Sequence, residues 1–285
     1  MNTANEVCKL TVVVDNQAAE GLTAEHGYAL HIATPRGNLL LDTGQKTLMK
    51  NLATLRVDPG KIDKLVLSHG HYDHSGGIAD LLEVNSGMEL YLHSAAFEPR
   101  YVRDGEETES VRMPLPDMNA VMRHKDEKTH WLTKPMELLP GLGVTGPIPR
   151  KNGFEDTGGE FYLDPEGTDV DTIKDDIALW LKTPEGLVVC IGCCHSGLIN
   201  TLDHIVAATG ERRIRTIIGG MHLLHATRER LEKTVAELQR FAIGNIIACH
   251  CSGEKAVEFL ASELEAEVVA GYAGLSFDVE ELGQQ

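Results

Sequence analysis

The run Ser68-His69-Gly70-His71-Tyr72-Asp73-His74-Ser75-Gly76-Gly77 carries the densest chemistry in this chain. Three imidazoles and a carboxylate fall within six residues, directly after the apolar stretch Leu65-Val66-Leu67. On an extended loop, side chains two apart face the same way, so His69 and His71 can reach one ion. Asp73 and His74 come where the chain turns into a helix and can face a second ion. Imidazole and carboxylate together suit zinc, iron or manganese. A histidine-rich surface loop is the bland alternative, and the density of donors and the following Gly-Gly argue against it.

Outward from this run, short apolar stretches alternate with helical ones. Residues 7–14, 28–34, 39–41, 64–67 and 88–93 read as strands, and 47–55 and 74–82 as helices. The second half repeats the order, with strands at 177–183, 187–191, 215–218, 245–249 and 268–271 and helices at 196–208, 227–241 and 254–264. Two similar turns, Thr34-Pro35-Arg36-Gly37 and Thr183-Pro184-Glu185-Gly186, each precede an apolar strand. Two strand-rich halves with helices between and after predict an α/β sandwich. Residues 94–172 break the pattern. They hold eight of the eleven prolines and read as an insertion or lid over a site within a single domain spanning 1–285.

Composition bounds the function. The chain has 285 residues, 42% hydrophobic and 24% charged, which is ordinary globular usage. A net charge of −17 repels phosphate backbones and argues against nucleic acid and anionic membrane as partners. No apolar run is long enough for a spanning helix. The opening residues 1–6 show no basic or apolar leader. The six cysteines form no spaced disulfide framework, and a reducing, cytoplasmic setting is expected. Cys190, Cys249 and Cys251 read as packing residues.

More histidines stand at strand ends. His195 follows Gly192-Cys193-Cys194, His222 follows Gly219-Gly220-Met221, and His250 lies between Cys249 and Cys251. The carboxyl ends of strands are where α/β sheets place functional groups. His195 is a metal ligand or a helix-terminal histidine. His222 polarises a substrate or caps the helix after it. His26 lies in a loop that can overhang the site, and His124 and His130 can reach it from the lid. Arg100, Arg103, Arg112 and Arg123 give the lid local positive charge that suits a small anionic substrate.

The His-x-His-x-Asp-His run, with Asp42-Thr43-Gly44 after an early strand, resembles the metallo-β-lactamase superfamily. The resemblance covers most of the chain outside 94–172. It implies a four-layer αββα sandwich and a mono- or dinuclear centre of divalent ions, one or two per chain, zinc first with iron or manganese as alternatives. It places His69 and His71 at a first metal site and Asp73 and His74 at a second, with Asp42 supporting the metal loop. It adds His195 as a stand-in third ligand and His250 as the last. Where the family shows Gly-Asp, this chain has Gly192-Cys193, so Cys193 is a candidate thiolate ligand or bridge. Asp73 and His222 are the expected catalytic groups. The implied activity is hydrolysis of an ester, lactone or phosphodiester in a small molecule. The patterns around His195, His222 and His250 are similar to a branch of pterin-coupling, dihydropteroate-synthase-like enzymes, which implies joining a pterin to an aminobenzoyl ribose phosphate. A diiron redox protein is disfavoured because His71 stands where those members carry Glu. A non-enzymatic metal or ligand sensor lacks a visible partner domain. The sequence sets no oligomeric state.

Overall fold

Strands covered on both faces read as continuous apolar runs, and the stretch Leu187-Val188-Val189-Cys190-Ile191 is buried throughout for that reason. The computed structural model describes residues 7–105 and 107–280, so the opening residues 1–6 lie outside the described residues. The chain begins with strands β1 (Val7–Val14), β2 (Ala29–Thr34), β3 (Gly37–Leu41), β4 (Lys64–Val66) and β5 (Glu89–Leu92). It continues with β6 (Tyr101–Asp104), β7 (Glu107–Ser110), β8 (Thr129–Trp131), β9 (Met136–Leu139), β10 (Leu142–Val144) and β11 (Phe161–Tyr162). It ends with β12 (Ala178–Thr183), β13 (Gly186–Ile191), β14 (Arg213–Gly220), β15 (Ala242–Cys249), β16 (Glu267–Ala270) and β17 (Ser276–Glu280). The helices are α1 (Leu48–Thr54), α2 (Tyr72–Ser75), α3 (Ile78–Val84), α4 (Leu115–Arg123), α5 (Leu198–Thr209), α6 (Arg228–Leu238) and α7 (Glu254–Glu263).

Two seven-stranded sheets stack face to face, in the orders β17-β1-β2-β3-β4-β5-β8 and β16-β15-β14-β13-β12-β10-β9. Alternation along β13 shows how the layers are sorted. Val188 and Cys190 face the space between the sheets, where they meet Leu10, Leu39 and Leu179. Leu187, Val189 and Ile191 face the other way, onto Leu202 of α5, Val235 of α6 and Leu260 of α7. On the first sheet, Leu40 and Leu65 pack against Leu52 of α1, Leu81 of α3 and Val121 of α4. The result is the four-layer αββα sandwich. Truncating a side chain in these layers, as in Ile217→Ala, costs about 2–5 kcal/mol.

The two expected turns are built alike. Thr34 Oγ1 donates to the Gly37 carbonyl and accepts from Arg36 N–H, and Thr183 Oγ1 does the same with Gly186 and Glu185. Each turn joins an antiparallel hairpin whose second strand, β3 or β13, then pairs in parallel with the next, β4 or β14.

Part of the 94–172 insertion is woven into the sandwich. β8 forms an edge of the first sheet, and β9 and β10 extend the second. These strands are only three or four residues long, too short for any period to mark them. Only β6, β7 and β11 form a separate small sheet. The expected helix over 74–82 is two pieces, α2 and α3, parted by Gly76-Gly77.

Candidate metal centre

The expected donors meet at the carboxyl ends of parallel strands. The loop after β4 carries His69 and His71, and α2 carries Asp73 and His74. His195 follows β13, His222 follows β14 and His250 follows β15. Among the described non-glycine residues with positive φ, Asp42 (φ 62°), Cys194 (φ 59°), His222 (φ 47°) and His250 (φ 46°) all stand at these strand ends. Left-handed backbone is costly for a residue with a Cβ, and it gathers at functional sites.

His69, His71 and His195 form one group, their donor atoms within 4.8 Å of one another. His69 Nε2 lies 2.9 Å from His71 Nδ1. Burial holds all three imidazoles well below their usual pKa, so they are neutral, as metal ligands must be. Asp73 Oδ2 gathers the other group: His250 Nε2 at 3.1 Å, His26 Nε2 at 3.3 Å and His74 Nε2 at 3.7 Å. Burial opposes ionisation of Asp73, yet the cationic His74 and hydrogen bonds from His250 and His26 hold its pKa well below the usual carboxylate range. Burial likewise opposes charge on His74, but the Asp42 and Asp73 carboxylates raise it to about 9.

Each of four imidazoles has its outer nitrogen fixed. Ser68 N–H and Oγ–H donate to the Asp42 carboxylate at 2.7 and 2.6 Å, so His69 Nδ1 donates to Ser68 Oγ. His74 Nδ1 donates to Asp42 Oδ2 at 2.7 Å, His195 Nδ1 to the Thr157 carbonyl and His250 Nδ1 to Asn16 Oδ1. Their Nε2 atoms therefore turn inward. His71 Nε2, His195 Nε2 and His222 Nδ1 are buried without any hydrogen-bond partner. Such atoms cost free energy unless something accepts their lone pairs, and a divalent ion fits.

The loop itself is clamped from below. Gly70 N–H donates to Asp175 Oδ2 at 2.8 Å, and a Cβ on Gly70 would overlap the Ala96 backbone. Asp175 is held by the Arg100 guanidinium, which also pairs with Asp171 and donates to the Ala95 carbonyl. Arg100 is fully buried in this cluster, so the structure removes it from the expected set of substrate-facing arginines. Arg103 is also engaged, donating to the Glu166 carbonyl and lying over the Tyr162 ring.

The sequence of residues 22–192 matches the metallo-β-lactamase superfamily. The chain belongs to that superfamily. It is 27% identical over 266 residues to a Methanocaldococcus jannaschii protein named 7,8-dihydropterin-6-methyl-4-(β-D-ribofuranosyl)aminobenzene 5′-phosphate synthase. That match covers 88% of this chain and 89% of the synthase. An uncharacterised protein of the same organism is 29% identical, covering 88% of this chain and 93% of its own. A solved metal-dependent hydrolase of the β-lactamase superfamily superposes with a TM-score of 0.82 at 28% identity, covering 96% of this chain and all of that one. These matches bear out the resemblance drawn from the sequence, to the superfamily and to its pterin-synthase branch, and with it the expectation of an enzyme.

Some residues of this superfamily member fall elsewhere than expected. His222 does not cap the helix after it, since Thr227 Oγ1 accepts from Arg230 N–H there. It sits instead with its ring 4.2 Å from His195. His124 bonds the Met88 carbonyl and His130 stacks on Tyr91, so neither joins the donor groups. Phe161, from the small sheet, lies over His71, His195 and His222, with centroids 5.1, 5.2 and 6.1 Å away, and was not anticipated. Cys249 packs between the sheets as expected, but Cys251 does not. It faces Cys193, because the left-handed turn at His250 redirects the chain and ends the alternation of faces.

Proposed function

We propose that this protein is a metal-dependent hydrolase-type enzyme acting on an ester, lactone or phosphodiester bond of a small anionic molecule. His69, His71 and His195 would hold one divalent ion, and Asp73, His74 and His250 a second, His74 giving up the proton it carries beside Asp42 and Asp73 as it binds, with zinc suited to this imidazole-rich set. The observation that carries the reading is the set of inward Nε2 atoms whose outer nitrogens are fixed by Ser68, Asp42, Thr157 and Asn16. A divalent ion bound there supplies Lewis acidity and makes water nucleophilic near neutral pH. Asp73 stays ionised and orients the imidazoles of His250 and His26 around it. His222, beside His195, is placed to hydrogen-bond a substrate oxygen on which charge develops. Phe161 shields the His71–His195 side from water. No described helix is long and apolar enough to cross a membrane. A reducing cytoplasm suits the free thiols.

The name of the Methanocaldococcus jannaschii relative favours a second reading, a pterin-coupling synthase on the same centre. There the arylamine nitrogen of the partner would bond to the pterin methylene carbon as the carbon–oxygen bond to pyrophosphate breaks; pyrophosphate leaves and the nitrogen gives its proton to solvent.

Metal analysis of protein purified without added metal, beside His71→Ala, tests the centre. We expect bound divalent ion in the native chain and less in the variant. Equal metal content in both would sink the reading. Phosphodiester and lactone panels, then a pterin pyrophosphate with an aminobenzoate, separate the two chemistries. Turnover of the second set alone would establish the synthase.

A further inference from the structure

Four of the six cysteines pack in the apolar layers: Cys8, Cys190 and Cys249 between the sheets, and Cys194 beneath α5. Cys193 and Cys251 belong to none of these described apolar clusters. Both are buried, and both face the histidines instead. Cys193 Sγ lies 3.1 Å from His74 Nε2 and 3.3 Å from Cys251 Sγ. It shares a donor group with His69 and His74, another with His195 and His222, and a third with His250 and Cys251. No other side chain joins three such groups among the described residues. Cys251 Sγ lies within 4.8 Å of donor atoms of both Cys193 and His250. Gly220 leaves the room for it, since a Cβ there would meet Cys251 Sγ at 2.6 Å.

We propose that Cys193 and Cys251 are sulfur donors of the metal centre, Cys193 between the two imidazole groups and Cys251 from beside His250. The inference rests on the reading of the site as a metal centre and names donors that reading does not include. A buried thiol needs neither a partner nor a neighbouring imidazole to pack well, so a pair turned away from apolar surface and toward open nitrogens indicates ligand function. Sulfur beside imidazole selects zinc, cobalt or ferrous iron and disfavours magnesium, calcium and manganese, which take oxygen. Each thiol gives its proton to solvent as its sulfur binds the ion.

Cobalt(II) reads this directly, because sulfur bound to cobalt absorbs strongly in the near ultraviolet. The full-length protein is stripped with a chelator, loaded with cobalt and checked for bound ion by metal analysis. We expect a sulfur-to-cobalt band in the native chain, weaker in Cys251→Ser, absent in the Cys193→Ser/Cys251→Ser double variant and unchanged in Cys249→Ser. Zinc affinity, read by competition with a coloured chelator, should fall about tenfold or more in Cys251→Ser. Should Cys193→Ser fail to fold, the native spectrum and Cys251→Ser still decide. Cobalt bound without a sulfur band overturns the inference and leaves the metal centre standing. Neither cobalt nor zinc bound overturns both. A Cys193–Cys251 disulfide in the protein as purified under non-reducing conditions would also overturn it, since its sulfurs would be committed to each other.

Discussion

The two sheets deliver their donors by different means. One loop on the first sheet brings His69, His71, Asp73 and His74 within six residues, whereas the second sheet brings His195, His222 and His250 singly from the ends of neighbouring parallel strands. The loop is aimed by side chains: Asp42 fixes Ser68 and His74, and the buried Arg100–Asp175 pair holds Gly70. The strand ends are aimed by backbone: Cys194, His222 and His250 all take left-handed conformations, and none of residues 69–74 does. A contiguous run needs scaffolding because a loop has many conformations to lose. A strand end is already rigid, and one left-handed residue, at the donor or just before it, aims the donor into the site. Removing a scaffold group should therefore damage the first set far more than the second.

The largest effect is expected from Asp42→Ala. It would leave the Ser68 N–H, the Ser68 hydroxyl and His74 Nδ1 without their buried acceptor. Breaking such a pair costs about 3–5 kcal/mol, and we expect the upper end. Asn16→Ala, which frees His250 Nδ1 and the His250 carbonyl at exposed hydrogen bonds and the Gly27 N–H at a partly buried one, should cost about 1–2 kcal/mol. Urea unfolding of the two metal-free variants checks the contrast. Equal losses would break the distinction between the two sets.

Arg100→Met comes next, at the lower end of about 3–5 kcal/mol, because Asp171 and Asp175 are left buried without their cation. Its reach goes beyond stability. With Asp175 no longer oriented, Gly70 loses its anchor and zinc affinity should fall about tenfold. Arg100→Lys keeps the charge but not the planar fork, so it should restore stability more than affinity. If affinity is untouched in a folded Arg100→Met protein, the clamp is structural only.

This contrast also explains what was legible. The loop's donors are adjacent in sequence, and His195, His222 and His250 are marked by glycine-flanked strand ends, so all were nameable from residues alone. The layer order was legible too, because buried strands such as β13 and helices such as α5 keep their periods. What holds the donors was not. Asn16, Thr157, Asp175 and Phe161 arrive by contacts across long separations that no local pattern records. Cys251, expected to pack, faces Cys193 instead, because His250 at φ 46° turns the chain out of its extended form and no local pattern marks that turn. The short strands β8 and β10 are set by their partners in the sheets, not by their own three residues.

A buried imidazole outside both sets sharpens the role of the fixing groups. His31 on β2 faces no carboxylate, its Nε2 has no hydrogen-bond partner, and burial lowers its pKa to about 4. Unfolding restores a pKa near 6.5, so the unfolded chain binds the proton more readily between these values. The stability His31 allows is fully present above pH 6.5 and drains away as pH falls toward 4, by roughly 2–3 kcal/mol from this group. His31→Leu should flatten that part of the stability-versus-pH curve. An unchanged curve would mean the imidazole finds a partner in solution.

The smallest effect probes the backbone strategy of the second sheet. His222 holds φ at 47°, a conformation glycine adopts freely and other residues adopt at a cost of about 1–2 kcal/mol. His222→Gly should therefore leave the protein as stable as before or about 1 kcal/mol more stable, even though a partly buried ring is lost, because relief of strain offsets the lost packing. Turnover should move the opposite way. A positioned imidazole that exchanges a proton or hydrogen bond with substrate is worth about 10²–10⁴-fold, so activity should collapse in a protein that melts no earlier. His222→Asn, which tolerates the left-handed conformation and keeps a hydrogen-bond donor, should fall between the two in activity and match glycine more closely in stability. A marked loss of stability in His222→Gly would show that packing, not strain, dominates at this strand end, and the second sheet would then rely on side-chain scaffolding as the first does.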